Sequence, residues 1–173
     1  MIVIVIFVAL FSILPEEQIQ RFARMGEDAD SLQRLAYWKY GLVVIKSHPL
    51  LGVGYHNWLA YLAYMIPEGM GPYGIIQEPH NIYIQAAAEL GIAGLFVFLL
   101  MIVFAFVINA RTRTITKDMD HRLLFNLTYG LDAGLIGYLV AGSFVTVLYY
   151  PFFWVQIAMI VMINAIVKQQ LKR

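Results

Sequence analysis

The chain has 173 residues, of which 61% are hydrophobic and only 13% charged. That balance excludes an ordinary water-soluble domain and marks a membrane protein. A net charge of +1 says nothing about nucleic acid and no basic run interleaved with aromatics points to one, so no nucleic-acid partner is expected. There is no cysteine, so disulfides, thiolate metal sites and cysteine nucleophiles are excluded as well.

The opening run MIVIVIFVALFSIL, residues 1–14, lacks the basic start and small-residue cleavage site of a signal peptide. It is also shorter than the about 20 apolar residues of a full span. It reads as a truncated transmembrane helix, which makes the chain a fragment of something larger.

Residues 15–89 read as one large loop outside the membrane. Within it an amphipathic helix is expected over 31–47, with Asp30 or Ser31 as N-cap. Its apolar face is expected from Leu32, Leu35, Trp38, Leu42 and Ile45, at steps of three and four, and it stops before His48-Pro49. Arg34 falls at the edge of that face, where a guanidinium calls for an anion or an aromatic ring. The glycines of GVG (52–54) and of PEGMGPYG (67–74) mark turns, the second being the candidate mobile lid.

Three more spans follow, at 90–110, 123–148 and 152–167, with the YYP of 149–151 as the turn between the last two. Arg111, Arg113, Lys117 and Arg122 lie in the 111–122 linker, and Lys168, Lys172 and Arg173 lie in the 168–173 tail. The positive-inside rule makes both stretches cytoplasmic and places 15–89 on the outer face. The fold class is therefore all-α: a polytopic transmembrane helical protein with a large extracytoplasmic loop containing short helices.

His80 stands at the start of the helix that becomes the second span, beside Asn81, and either residue can cap it. A helix N-terminus favours anions and disfavours a protonated imidazole, so His80 is expected neutral and able to accept a proton near pH 7. Ala87, Gly91 and Gly94 follow at near-whole turns, a smooth strip on which a helix or a lipid chain can approach the backbone. A plain capping role for His80 stays open. Glu89 reads as a snorkelling or paired interfacial charge. Asp132, ten residues into the third span, pairs with a neighbour or serves a proton relay. The spacing of His48, His56, His80 and Glu78 puts no two metal ligands on one helical turn, so no metal site is assigned. Serine-hydrolase, nucleotide-loop and dinucleotide fingerprints are lacking too.

The stretches RLAYWKYGLVVIKSHPLLGVG and PHNIYIQAAAELGIAGLFVFLL resemble the outer-loop region of the O-antigen ligase and polymerase family. These are bacterial membrane glycosyltransferases acting on undecaprenyl-pyrophosphate-linked glycans. His80, Asn81, Gly91 and Gly94 match one family pattern, and Arg34, Trp38, His48, Pro49, Gly52 and Gly54 match two others. The resemblance implies the C-terminal half of such an enzyme, in the bacterial inner (plasma) membrane with its loop on the periplasmic side. It implies His80 as general base and Arg34 as the contact to the donor's pyrophosphate, with Arg21 and Arg24 as weaker candidates for that contact. Asn81, Trp38 and His48 would be further substrate-binding residues, and Pro49, Gly52, Gly54, Gly91 and Gly94 structural ones.

The function expected is inverting, metal-independent and cofactor-free transfer of an oligosaccharide from undecaprenyl pyrophosphate to a hydroxyl acceptor. That acceptor is lipid A core, another glycan or a protein side chain, and membrane lipids are the surrounding partners. The competing reading is a non-catalytic transport or assembly subunit whose glycines serve helix packing.

Overall fold

The computed structural model describes residues 15–23, 29–66, 70–71, 74–118 and 122–171. The expected truncated span at 1–14 therefore lies outside the described residues, as does Arg24. The helices are α1 (Glu16–Ala23), α2 (Ala29–Ser47), α3 (Trp58–Met65), α4 (Ile82–Asp118), α5 (Arg122–Gly142) and α6 (Pro151–Gln170). Two short strands, β1 (Met70–Gly71) and β2 (Gly74–Ile75), pair antiparallel, with Met70 opposite Ile75. They flank the tip of the glycine-rich stretch expected as a lid, and 67–69 and 72–73 lie outside the described residues.

Helices α4, α5 and α6 are each long and apolar enough to cross a membrane. They pack on one another around Phe98, Ile102, Leu135, Phe153, Ile160 and Ile163. Their outward faces keep large apolar side chains exposed, among them Phe96, Phe104, Val140 and Met162, as a bilayer requires. The span expected at 90–110 is embedded in a longer helix that starts at Ile82 and continues to Asp118. Most of the expected 111–122 linker is thus helical, and Arg113 turns inward to pair with Asp132 of α5. Asn109 donates to Asp132 at 2.8 Å, Arg113 Nε donates to Thr128 Oγ1 at 3.1 Å, and the guanidinium lies 4.0 Å over the Tyr129 ring. Of the two readings of Asp132, the structure supplies pairing with a neighbouring helix, the arrangement that makes an intramembrane carboxylate affordable.

A second core caps the bundle on the loop side, built from Tyr37, Val44, Trp58, Leu62 and Ala88. Here the expected inner face of α2 is corrected. Leu32, Leu35 and Leu42 are exposed, and the buried stripe is Tyr37, Gly41 and Val44. The α2 helix carries apolar residues on several sides, so its sequence alone does not select one. Gly41 does, because α4 approaches until a methyl there would collide with Ile84. Arg34 continues that stripe one turn before Tyr37, so it projects from the α4 side of the helix.

The bundle and its cap meet at a break in α4. Gly91 has φ 71° and ψ −176°, a backbone region essentially confined to glycine. An interrupted helix strands carbonyls before the break and amides after it. The His-Pro-x-x-Gly-x-Gly loop, 48–54, supplies partners for both sets. Val53 and Gly54 N–H donate to the carbonyls of Ala88 and Glu89 at 3.0 and 2.9 Å. Ile92 and Ala93 N–H donate to those of Pro49 and Leu50 at 2.8 and 3.3 Å. A Cβ on Gly91 would strike the Leu50 carbonyl, and one on Gly52 (φ 65°) would strike the Glu89 backbone. The small-residue strip expected to admit a helix or lipid is filled at Gly91 by this loop.

Candidate active site

His80 is presented by a short extended segment held at two carbonyls. The Trp58 indole donates to Gln77 O and the Trp38 indole to Pro79 O, each at 2.9 Å. His80 itself takes φ 48°, a left-handed conformation that costs of order 1 kcal/mol or more outside glycine and persists where its surroundings fix it. What fixes it on the far side is Asn81, whose Oδ1 accepts from the N–H of Tyr83 and of Ile84, both at 3.0 Å. Asn81 is therefore the N-cap of α4. Its Nδ2 donates to Ser143 O at 3.2 Å, tying the α4 start to the α5–α6 loop. The N-terminal amides expected to be free for an anion are thus in part taken up by the cap, and Asn81 has a structural use for both ends of its amide.

The imidazole lies between two further contacts. His80 Nδ1 is 3.2 Å from Thr146 Oγ1, and Nε2 is 3.5 Å from Gln77 Oε1. The His80 pKa is held below the ordinary 6.5, first by burial and then by the positive field of Arg34. Neutral imidazole is the form with a lone pair to accept a proton.

Arg34 and His80 line one cavity of about 200 Å³, together with Asp30, Gln33, Tyr37 and Gln77. A larger cavity of about 590 Å³ shares His80 and Gln77 with it and is lined also by Tyr55, His56, Glu78, Gln85, Thr146 and Tyr149. Tyr55, Leu148 and Tyr149 pass from that cavity into an apolar groove of about 500 Å³ running along α4 and α6 past Gly94, Val97, Phe98, Phe153 and Trp154. A guanidinium, a neutral imidazole, a polar chamber and an oily groove are thereby contiguous.

Glu89 organises the junction. It is fully buried, and its Oε1 accepts from Trp58 N–H at 2.9 Å, in place of any side-chain cap from Asn57. Its Oε2 accepts from Tyr149 O–H at 2.6 Å. Burial and that donation raise the Tyr149 pKa and keep the phenol protonated.

The remaining candidates fall elsewhere. Trp38 lies behind the Pro79 carbonyl. His48 packs edge-on against Tyr61, with ring centroids 5.1 Å apart, and is not among the residues lining either polar cavity. Pro49, Gly52, Gly54 and Gly91 form the helix-break clasp, and Gly94 lines the apolar groove. Arg21 belongs to α1. Among the described residues no three His, Asp or Glu side chains gather as a metal site. Thr146 had no signal in the sequence, because a threonine 66 residues downstream meets His80 only through the α5–α6 loop.

Comparison with known proteins bears on this geometry. No curated protein and no solved structure matches the chain. The family model described as O-antigen ligase matches residues 1–99, a segment that contains α2, the helix-break clasp and the His80 turn. With three helices of membrane length, the first beginning inside that segment, the chain is a membrane protein and belongs to the O-antigen ligase family.

Proposed function

We propose that the chain carries the catalytic loop of an O-antigen ligase-type glycosyltransferase, moving an oligosaccharide from a polyprenyl pyrophosphate to a hydroxyl acceptor on the periplasmic side of the inner membrane. The single observation that carries this reading is the shared cavity of Arg34 and His80. The acceptor O–H attacks the anomeric carbon while His80 takes its proton. The bond from that carbon to the pyrophosphate oxygen breaks, and its electron pair leaves with the phosphate. Arg34 meets the growing charge with a fork that binds two oxygens. One displacement inverts the anomeric centre. The leaving group is already good, so the step needs no metal. The groove along α4 and α6 suits the polyprenyl chain.

Family membership weighs against a transport subunit, and so does the clasp. The broken helices of transporters leave carbonyls for ions, whereas the groups freed at Gly91 are bonded to residues 49–54.

The test is transfer by the full-length protein in reconstituted membranes, measured against pH. A base must be neutral to act, so the rate should fall as pH drops through the His80 pKa, with the midpoint below 6.5 because burial and Arg34 lower it. Arg34→Gln removes the second cause. The acid limb should then move to higher pH, beside a rate loss of about 10²–10³-fold. No transfer by the wild type, or an acid limb that stays in place, refutes the assignment. Trp38→Phe keeps the ring and deletes the N–H held by Pro79, so transfer should fall several-fold, equivalent to roughly 0.5–1.5 kcal/mol, with the yield of folded protein retained.

A further inference from the structure

The Arg34 cavity accounts for a charged donor, but the larger chamber beside His80 has a different chemistry. Of the residues lining its 590 Å³, Gln85 is 1% exposed and its Oε1 has no hydrogen-bond partner, and Glu78 Oε2 is likewise buried without one. Neither oxygen belongs to the donor-side cavity. We infer that this chamber receives a sugar ring of the acceptor, and that Glu78 and Gln85 bind its hydroxyls as specificity-determining residues. The inference rests on the transfer reading and names its second substrate.

Three observations lead there. First, two buried acceptor oxygens ask for donors, since leaving one unmet costs about 1–3 kcal/mol. A polyol offers several O–H groups at close spacing. Second, the local charge discriminates between ligands. Burial and then the nearby Glu89 carboxylate raise the Glu78 pKa against the opposing field of His56, so negative charge is unfavourable at Glu78. A phosphate is directed to Arg34, while a neutral ring enters freely. Third, Tyr55, His56 and Tyr149 form an aromatic wall, with ring centroids 4.5 Å apart for Tyr55–Tyr149 and 5.5 Å for His56–Tyr149. Aromatic faces are electron-rich and suit the C–H face of a pyranose. Tyr149 donates its proton to Glu89 and accepts from the His56 backbone N–H, so its ring is held fixed.

The chamber volume lies within the roughly 300–1,000 Å³ range of small-molecule sites. His80 lines both cavities. A hydroxyl bound in the larger one therefore meets the imidazole on its way to a carbon held by the smaller one. Lipid A core and a second glycan both present such a ring. A protein side chain does not.

Two-substrate kinetics on the full-length protein in reconstituted membranes test this. Glu78→Ala and Gln85→Met should each raise the acceptor KM about tenfold or more, the loss of one or two hydrogen bonds, while the donor KM moves less than about twofold. Glu78→Gln retains an acceptor oxygen and should recover most of the loss, and the unshifted donor KM shows that the variants fold. An unchanged acceptor KM in both variants, or a rise in donor KM instead, overturns the inference. If His80→Ala transfers normally, the transfer reading fails while the chamber remains testable. Methyl glucoside and methyl galactoside should then give saturation-transfer NMR contacts with the wild type that Glu78→Ala loses. Absence of those contacts, or their survival in Glu78→Ala, also overturns it.

Discussion

Replacing His80 with alanine is expected to lower transfer by about 10²–10⁴-fold, or roughly 3–5 kcal/mol of barrier, with the protein still made and inserted. The size follows from what is removed. The acceptor hydroxyl is a poor nucleophile with its proton in place, and the imidazole is kept neutral beside the cavity where that proton must go. The substitution should be structurally mild, because the α4 cap belongs to Asn81 and the Pro79 anchor to Trp38. Alanine also relinquishes the contact to Thr146. Thr146→Val keeps the imidazole but frees its orientation, so it should cost far less and alter the acid limb of the pH profile. The measurement is product formed per mole of protein in membranes, with protein quantified by immunoblot. Unimpaired transfer by His80→Ala would remove His80 from the chemistry.

The largest effect on folding is expected from Gly91→Ala. At φ 71° and ψ −176° an alanine incurs of order 1–3 kcal/mol of backbone strain, and its Cβ would strike the Leu50 carbonyl. Relieving that collision moves the 48–54 clasp away and loosens the four backbone hydrogen bonds that close the helix break, each worth roughly 0.5–1.5 kcal/mol. A loss of several kcal/mol follows, read as a lower midpoint of thermal unfolding in detergent and a lower yield in membranes. Gly52→Ala should act in the same direction, since its Cβ would meet the Glu89 backbone. Gly137→Ala is the control. Nothing lies within 4 Å of a Cβ there, so the more helix-favouring residue should be neutral or slightly stabilising. Equal stability of the Gly91 and Gly137 variants would show that the clasp carries no weight.

Composition and hydropathy by themselves determined that this is a helical membrane protein, because burial in lipid demands long runs of apolar residues that no folding partner needs to reveal. Two separated stretches carrying three family patterns determined the family, and they placed His80 and Arg34 together as candidates. Tertiary structure alone decided which side of α2 faces inward, since leucines surround that helix and only the close approach of α4 at Gly41 selects a stripe. It decided that Arg113 pairs with Asp132 instead of lying in a linker, and that Gly52 and Gly91 answer each other across a broken helix. It also decided the company His80 keeps. Thr146 and Tyr149 reach the larger cavity from 66 and 69 residues downstream of His80, and contacts over such separations leave no periodicity in the chain that makes them.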